Sequence, residues 1–407
     1  MVHSSYWLTN VLLETGYKYE HNEVIGTNTD LFHILIKDGE IAKIVSEMND
    51  TDFKIPVYDA KKKLMLPAFK EMHIHIDKSY YGGPWKAVRP VKNIMGRFKE
   101  ERELLPKQLP FAKERAEKIL NLLVGYGSTH VRTHCNIDPV IGLKNLEATM
   151  GALDSFAGKI SSEVVAFPQH GLLRSDVKEL VKESMKHGAA LVGGVDPATV
   201  DENIEESLYT MMDIAVEADA GVDIHIHDRD YLGIYTMKKL ADLTEEAGWQ
   251  GRVTVSHAFG FAGVSEKAAA ELAERFAELR MKVTSTVPIG RLIMPLPLLR
   301  EKGVRVELGT DSLTDHWSPF GTGDNLEKAS RLAEVYGYAD EYSLSQTLGF
   351  ITGGITPLNK KGEQVWPVAG EKFKAVFVEA SCSAEAVARK TKRAAVFHNG
   401  VLVSGQL

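Results

Sequence analysis

The sequence predicts an α/β architecture: a (β/α)8 barrel flanked by a small β-sandwich built from both ends of the chain. Three observations predict it. Through the middle of the chain, short β-rich runs alternate with longer charged segments whose apolar residues recur at helical spacing, the pattern of a parallel sheet covered by helices. Both ends instead carry strand pairs joined by tight turns, with no helix between them. A chain of 407 residues with 44% hydrophobic content can also bury one large core and a smaller one beside it.

The first clear element is a hairpin, Phe32 to Ile36 and Ile41 to Val45, because Asp38-Gly39 between them supplies the left-handed backbone that a short turn needs. Eight barrel strands follow: Leu64 to His75, Ser128 to His134, Glu163 to Pro168, Ala190 to Val195, Val222 to His227, Arg252 to His257, Lys282 to Thr286 and Arg305 to Gly309. Helical spacing places helices over Lys113 to Val124, Val177 to His187, Asn203 to Glu217, Leu232 to Ala247 and Ser265 to Leu279. Near the C-terminus, Lys374 to Val378, Ala394 to Phe397 and Val401 to Val403 restore the hairpin pattern around Asn399-Gly400. The expected small domain is therefore residues 1–66 plus 368–407, and the expected barrel is residues 67–367.

Composition narrows the function. A net charge of −7 offers no basic field for a phosphate backbone, so nucleic acid is not an expected partner and a small molecule is. No run of 18 apolar residues is present, and the start Met1-Val2-His3-Ser4-Ser5 lacks the basic and apolar regions of a leader; a cytoplasmic protein without membrane contact is expected. The two cysteines, Cys135 and Cys382, follow no metal spacing and fit a reducing compartment. Val192-Gly193-Gly194-Val195 lacks the Lys-Ser/Thr of a phosphate loop and reads as a strand-end turn.

The chemistry gathers at strand ends. Alternate residues of a strand point the same way, so His73 and His75 aim two imidazoles at one point. His225, His257 and Asp311 close other strands of the set, at the carboxyl ends where barrel chemistry sits. Three imidazoles and a carboxylate suit one divalent ion, zinc or ferrous iron, better than magnesium or calcium. By the same alternation His227 points with His225.

His73-Ile74-His75, Val131-Arg132-Thr133-His134, Val165-Ala166-Phe167-Pro168-Gln169, Asp223-Ile224-His225, Ser256-His257, Gly309-Thr310-Asp311 and Asp315-His316-Trp317-Ser318-Pro319-Phe320-Gly321-Thr322 together resemble the cytosine deaminase branch of the amidohydrolase superfamily. The resemblance runs from about residue 64 to the C-terminus. It implies a metal held by His73, His75, His225 and Asp311, with His257 beside it, and a pocket in which Gln169 bonds a ring carbonyl or amide edge. Asp228 stands where those deaminases carry a glutamate proton shuttle, and Ser312 replaces a carboxylate that helps fix the pyrimidine. Asp77-Lys78 and His227 are instead similar to the triazine-processing isopropylammelide isopropylaminohydrolases, whose matching lysine and histidine line the active site. No lysine lies in Leu191 to Val195, where two-metal amidohydrolases carry a carbamylated one, so a single ion is expected.

The resemblance thus implies a hydrolytic deaminase acting on a non-peptide C–N bond of a small cyclic amidine, pyrimidine or triazine in type, by attack of hydroxide formed from water at the metal. Asp311 and His257 would handle the water, and His227 or Asp228 would protonate the leaving nitrogen. Lys78 either contacts substrate or pairs with a carboxylate. Trp317 and Trp85 either stack on a ring or pack in loops. His134 and His170 read first as buried structural histidines. An amidase or N-alkyl aminohydrolase, and a binding barrel without turnover, stay open as alternatives, as does assembly into a homo-oligomer.

Overall fold

The computed structural model describes residues 5–49, 54–290 and 292–407. The start Met1 to Ser4, weighed above as a leader, lies outside the described residues. The chain opens with β1 (Ser5–Glu20), β2 (Glu23–Lys37), β3 (Glu40–Val45), β4 (Val57–Asp59) and β5 (Leu64–Pro67). Strand and helix then alternate: β6 (Phe69–Ile74), α1 (Ile94–Gly125), β7 (Ser128–Asn136), α2 (Lys144–Asp154), β8 (Ser161–Phe167), α3 (Lys178–Lys186) and β9 (Leu191–Val195). The alternation continues through α4 (Ile204–Glu217), β10 (Gly221–His225), α5 (Asp230–Glu246), β11 (Val253–Ser256), α6 (Glu266–Glu278), β12 (Lys282–Ser285), α7 (Leu296–Glu301), β13 (Arg305–Leu308) and α8 (Asn325–Tyr336). After α9 (Glu341–Thr347) come β14 (Ala375–Val378), α10 (Ser383–Arg389), β15 (Arg393–His398) and β16 (Val401–Gly405).

Strands β6 to β13 lie side by side in chain order and pair in parallel, the outcome that right-handed strand-helix-strand units produce. The two edges of this sheet nearly meet: Asp311 N donates to His73 O at 2.7 Å, and Ile74 and Asp311 form a parallel bridge. Gly309 permits that approach, since a methyl group there would stand 2.6 Å from the backbone N and O of His73. Glu71, fully buried, stitches the same seam. Its carboxylate accepts from His73 N (3.0 Å), Thr310 N (3.0 Å), Thr310 Oγ1 (2.8 Å) and Asn325 Nδ2 (3.1 Å).

The terminal strands form a second sheet in the order β16-β15-β14-β5-β1-β2-β3, with β4 also pairing β1. Strands from both ends of the chain meet where β14 pairs antiparallel with β5. The expected hairpins at Asp38-Gly39 and Asn399-Gly400 are present, all four residues with positive φ.

Two expected elements have different limits. Leu64 to His75 is two strands, not one: Leu64–Pro67 joins the terminal sheet and Phe69–Ile74 the barrel. Every residue from Leu64 to Phe69 is buried, so hydropathy has no break to mark the change of sheet. The helix expected at Lys113 begins at Ile94, capped by Asn93 Oδ1 accepting from Gly96 N, and passes through Pro106 and Pro110. Proline lacks the N–H that a helix interior uses, so local propensity disfavours a helix through these two positions. Strand β1 was not among the expected elements; it turns into β2 through His21 and Asn22, both at positive φ.

Candidate metal centre and its polar wall

Four imidazoles and one carboxylate converge at the carboxyl end of the barrel. His73 lies in β6, His75 just past it, His225 ends β10, His257 follows β11, and Asp311 stands three residues beyond β13. The ring of His73 is 5.6 Å from that of His75, 4.6 Å from His225 and 4.8 Å from His257. Asp311 Oδ1 sits 3.5 Å from His73 Nε2 and 3.4 Å from His75 Nε2, and Oδ2 is 4.0 Å from His257 Nε2. Asp311 and His257 both hold a left-handed backbone, φ 63° and 67°, which turns these side chains inward at the price of local strain.

These groups fit a divalent ion. His75 Nε2 and His225 Nε2 face each other at 3.4 Å, while buried His73 Nε2 and both nitrogens of His257 have no hydrogen-bond partner among the described residues. Each such orphan costs about 1–3 kcal/mol, a penalty that ligation would relieve. Burial, aided by neighbouring cations and imidazoles, pushes His75 down to about 3 and His225 and His257 well below the usual range. Burial opposes ionisation of Asp311, but the facing imidazoles of His73 and His75 hold its carboxyl well below the ordinary value. Neutral imidazoles and an ionised carboxylate are the states that metal ligands require.

A second group, His73, His134 and Asp223, also lies close enough to hold an ion. Its charge is already balanced. Asp223 accepts from Arg132 Nη1 at 2.9 Å and from Ser256 Oγ at 2.6 Å, and His134 Nε2 lies 3.3 Å from it. Ser256 Oγ in turn is 2.8 Å from His73 Nδ1, which leaves Nε2 of that ring for the centre. Arg132, Asp223, Ser256 and His134 are therefore the support beneath the candidate ligands. Asp223 was within reach of sequence reasoning, because strand alternation points it with His225.

His227 packs its ring 4.2 Å from that of His257, and Nδ1 lies 2.9 Å from Asp196 Oδ2. Its side chain keeps 37% of its surface open, so it borders the pocket mouth. Desolvation opposes its charged form, yet the Asp196 carboxylate holds the imidazole above its usual value. Asp228 accepts from the Thr199 hydroxyl through Oδ1, while buried Oδ2 has no partner among the described residues. Burial raises its carboxyl above the ordinary range.

Beside this lies a buried polar wall that the sequence only half marked. Lys78 Nζ donates to Gln169 Oε1 at 2.8 Å, Asn136 Oδ1 at 3.2 Å and Glu101 Oε1 at 3.2 Å, using all three of its protons. Glu101, on α1, also receives Trp317 Nε1 at 3.1 Å and contacts His316 Nε2 at 2.9 Å and His170 Nε2 at 3.0 Å. Lys78 thus pairs with a carboxylate, and it orients Gln169 so that the amide nitrogen is turned from the ammonium. Trp317 packs against this wall, whereas Trp85 is 77% exposed and is not drawn in. Ser312 lines an adjoining cavity that Asp311 also borders.

Residues 112–356 match the model of the Amidohydrolase family. The chain is 46% identical over 405 residues to the uncharacterized protein YahJ of Escherichia coli (strain K12), covering 99% of this chain and 88% of that one. The crystal structure of N-isopropylammelide isopropylaminohydrolase from Burkholderia multivorans ATCC 17616 superposes with a TM-score of 0.87 at 27% identity, over 99% of both chains. A 5-methylcytosine deaminase from Klebsiella pneumoniae superposes with a TM-score of 0.79 at 22% identity, over 98% of both.

Proposed function

The chain belongs to the amidohydrolase family, and from that premise we propose that it is a metal-dependent hydrolase that removes ammonia or an amine from a small nitrogen heterocycle of pyrimidine or triazine type. One observation carries this reading: imidazoles from three strand ends and Asp311 meet at one point, where buried His73 Nε2 and His257 Nε2 have no hydrogen-bond partner among the described residues. His73, His75, His225 and Asp311 would hold the ion, zinc or ferrous iron, which supplies a Lewis acid that lowers the pKa of water toward about 7.

The chain's own groups do the rest. Asp311 accepts a proton from the attacking water through the oxygen turned to His257. His257 Nε2 donates to the oxygen that gains charge as the ring carbon becomes tetrahedral. His227, oriented by Asp196, delivers a proton to the departing nitrogen; Asp228 is the alternative donor. Gln169 and Trp317 position the ring, and Lys78 fixes Gln169. The barrel proposed for residues 67–367 would carry this chemistry, with the described part of residues 1–66 and 368–407 as the proposed flanking unit. No helix among the described residues is long and apolar enough to cross a membrane, and Cys135 and Cys382 are free and buried, in keeping with a cytoplasmic site.

The test is to incubate zinc-reconstituted protein with N-isopropylammelide, cytosine and 5-methylcytosine, and with linear amides, and to assay the released amine. Release of ammonia or isopropylamine from a ring supports the proposal. Release only from linear amides makes the protein an amidase, and inertness of the fully metallated protein to every compound leaves a binding barrel.

A further inference from the structure

A cavity of about 540 Å³ opens between the loops after β12 and β13 and the first turns of α8, and it includes Asp311 and Ser312 in its lining. That volume suits part of a small ligand. Lys328, on α8, lines it. The ammonium donates to the carbonyl of Thr286 at 3.0 Å, and no carboxylate among the described residues comes within salt-bridge distance. Two of its three protons meet no acceptor among the described residues.

The acids whose charges reach Lys328 are all engaged elsewhere. Asp311 faces the histidines. Glu71 is saturated by the backbone and hydroxyl of Thr310, by His73 N and by Asn325. Glu327 pairs with Arg331 Nη2 at 3.0 Å and accepts from the Thr322 hydroxyl. Arg331 adds a second cation on the same side. Burial, with the neighbouring Arg331 guanidinium, pushes the Lys328 amine down to about 8, and an anion in the cavity would supply the counter-charge that its ionised form lacks.

We infer that Lys328 forms an anion subsite of the catalytic pocket, and that the preferred substrate carries a delocalised anionic oxygen, a carboxylate or the oxygen of an acidic ring, which Lys328 receives. Thr310, Ser312, Ser318 and Phe320 wall that subsite. The inference rests on the proposed hydrolase reading and names its substrate class more narrowly.

Binding to the zinc-reconstituted protein, measured by calorimetry, tests it with three probes: barbiturate for an acidic ring, orotate for a ring carboxylate and cytosine for a neutral ring. The wild type should bind one of the anions at least about tenfold tighter than cytosine, and Lys328→Gln should shrink that gap to within about twofold, as expected for loss of a charge-assisted hydrogen bond. Lys328→Arg should keep the gap, which guards against simple misfolding, and zinc content should stay constant across the variants. Which anion shows the gap identifies the source of the charge. Equal affinity for all three probes in the wild type, or a gap that survives in Lys328→Gln, overturns the inference. Anion binding through Lys328 with no C–N hydrolysis would sink the hydrolase reading and leave the subsite standing; hydrolysis without any anion preference does the reverse.

Discussion

His73 shows how much one residue must satisfy. Its backbone closes the barrel against Asp311, its Nδ1 meets Ser256, and its Nε2 points to the centre. His225 has fewer duties, so it makes the cleaner test: His225→Ala should lower bound zinc, read by elemental analysis, and abolish amine release. His227→Ala should keep the zinc and lose turnover by about 10²- to 10⁴-fold, the span of a general acid. Normal turnover in His227→Ala would move the proton donor to Asp228. Glu101→Gln leaves the Lys78 ammonium buried without its carboxylate and should cost about 3–5 kcal/mol in chemical denaturation, with Lys78→Met added to it recovering most of the loss. The convergence of the candidate ligands was legible in the sequence because strand alternation and strand-end position point to it. Glu101 was not, since Glu100-Glu101-Arg102-Glu103 reads as an ordinary charged helical face and only the fold turns one carboxylate inward.

Among the elements, the seam between β6 and β13 governs the centre. Gly309→Ala would set a methyl group against the His73 backbone, so it should lower the melting temperature and the zinc content together. A fall in melting temperature with full zinc occupancy would show that the seam and the centre are independent. The barrel strands and the hairpins at Asp38-Gly39 and Asn399-Gly400 were legible from hydropathy period and turn chemistry. The strand switch near Ala68 was hidden by unbroken burial, and the first turns of α1 by Pro106 and Pro110, because local propensity carries no information about the tertiary contacts that hold a proline-bearing helix. Those turns matter for function, since they carry Glu101.

At the scale of the whole molecule, the two ends of the chain are bound to each other as well as to the barrel. Glu14 of β1 accepts from Ser383 N at the start of α10, and burial raises its carboxyl from 4.5 to about 7. A folded-state value above the unfolded one means that this stabilisation is full below about pH 4.5 and is lost as pH rises through about 7. Glu14→Gln should therefore flatten the decline of the melting temperature between pH 5 and 8 and stabilise the protein at pH 8 by on the order of 3 kcal/mol, the cost of ionising a carboxyl raised to about 7. An unchanged slope would remove Glu14 from the account. In the proposed function, strand ends distant in sequence gather one divalent ion on which all turnover depends. Metal content and amine release, followed on one preparation through exhaustive chelation and zinc return, test it most directly. One ion per chain, with activity lost on its removal and restored with it, is the expected result; full activity in metal-free protein would contradict the claim.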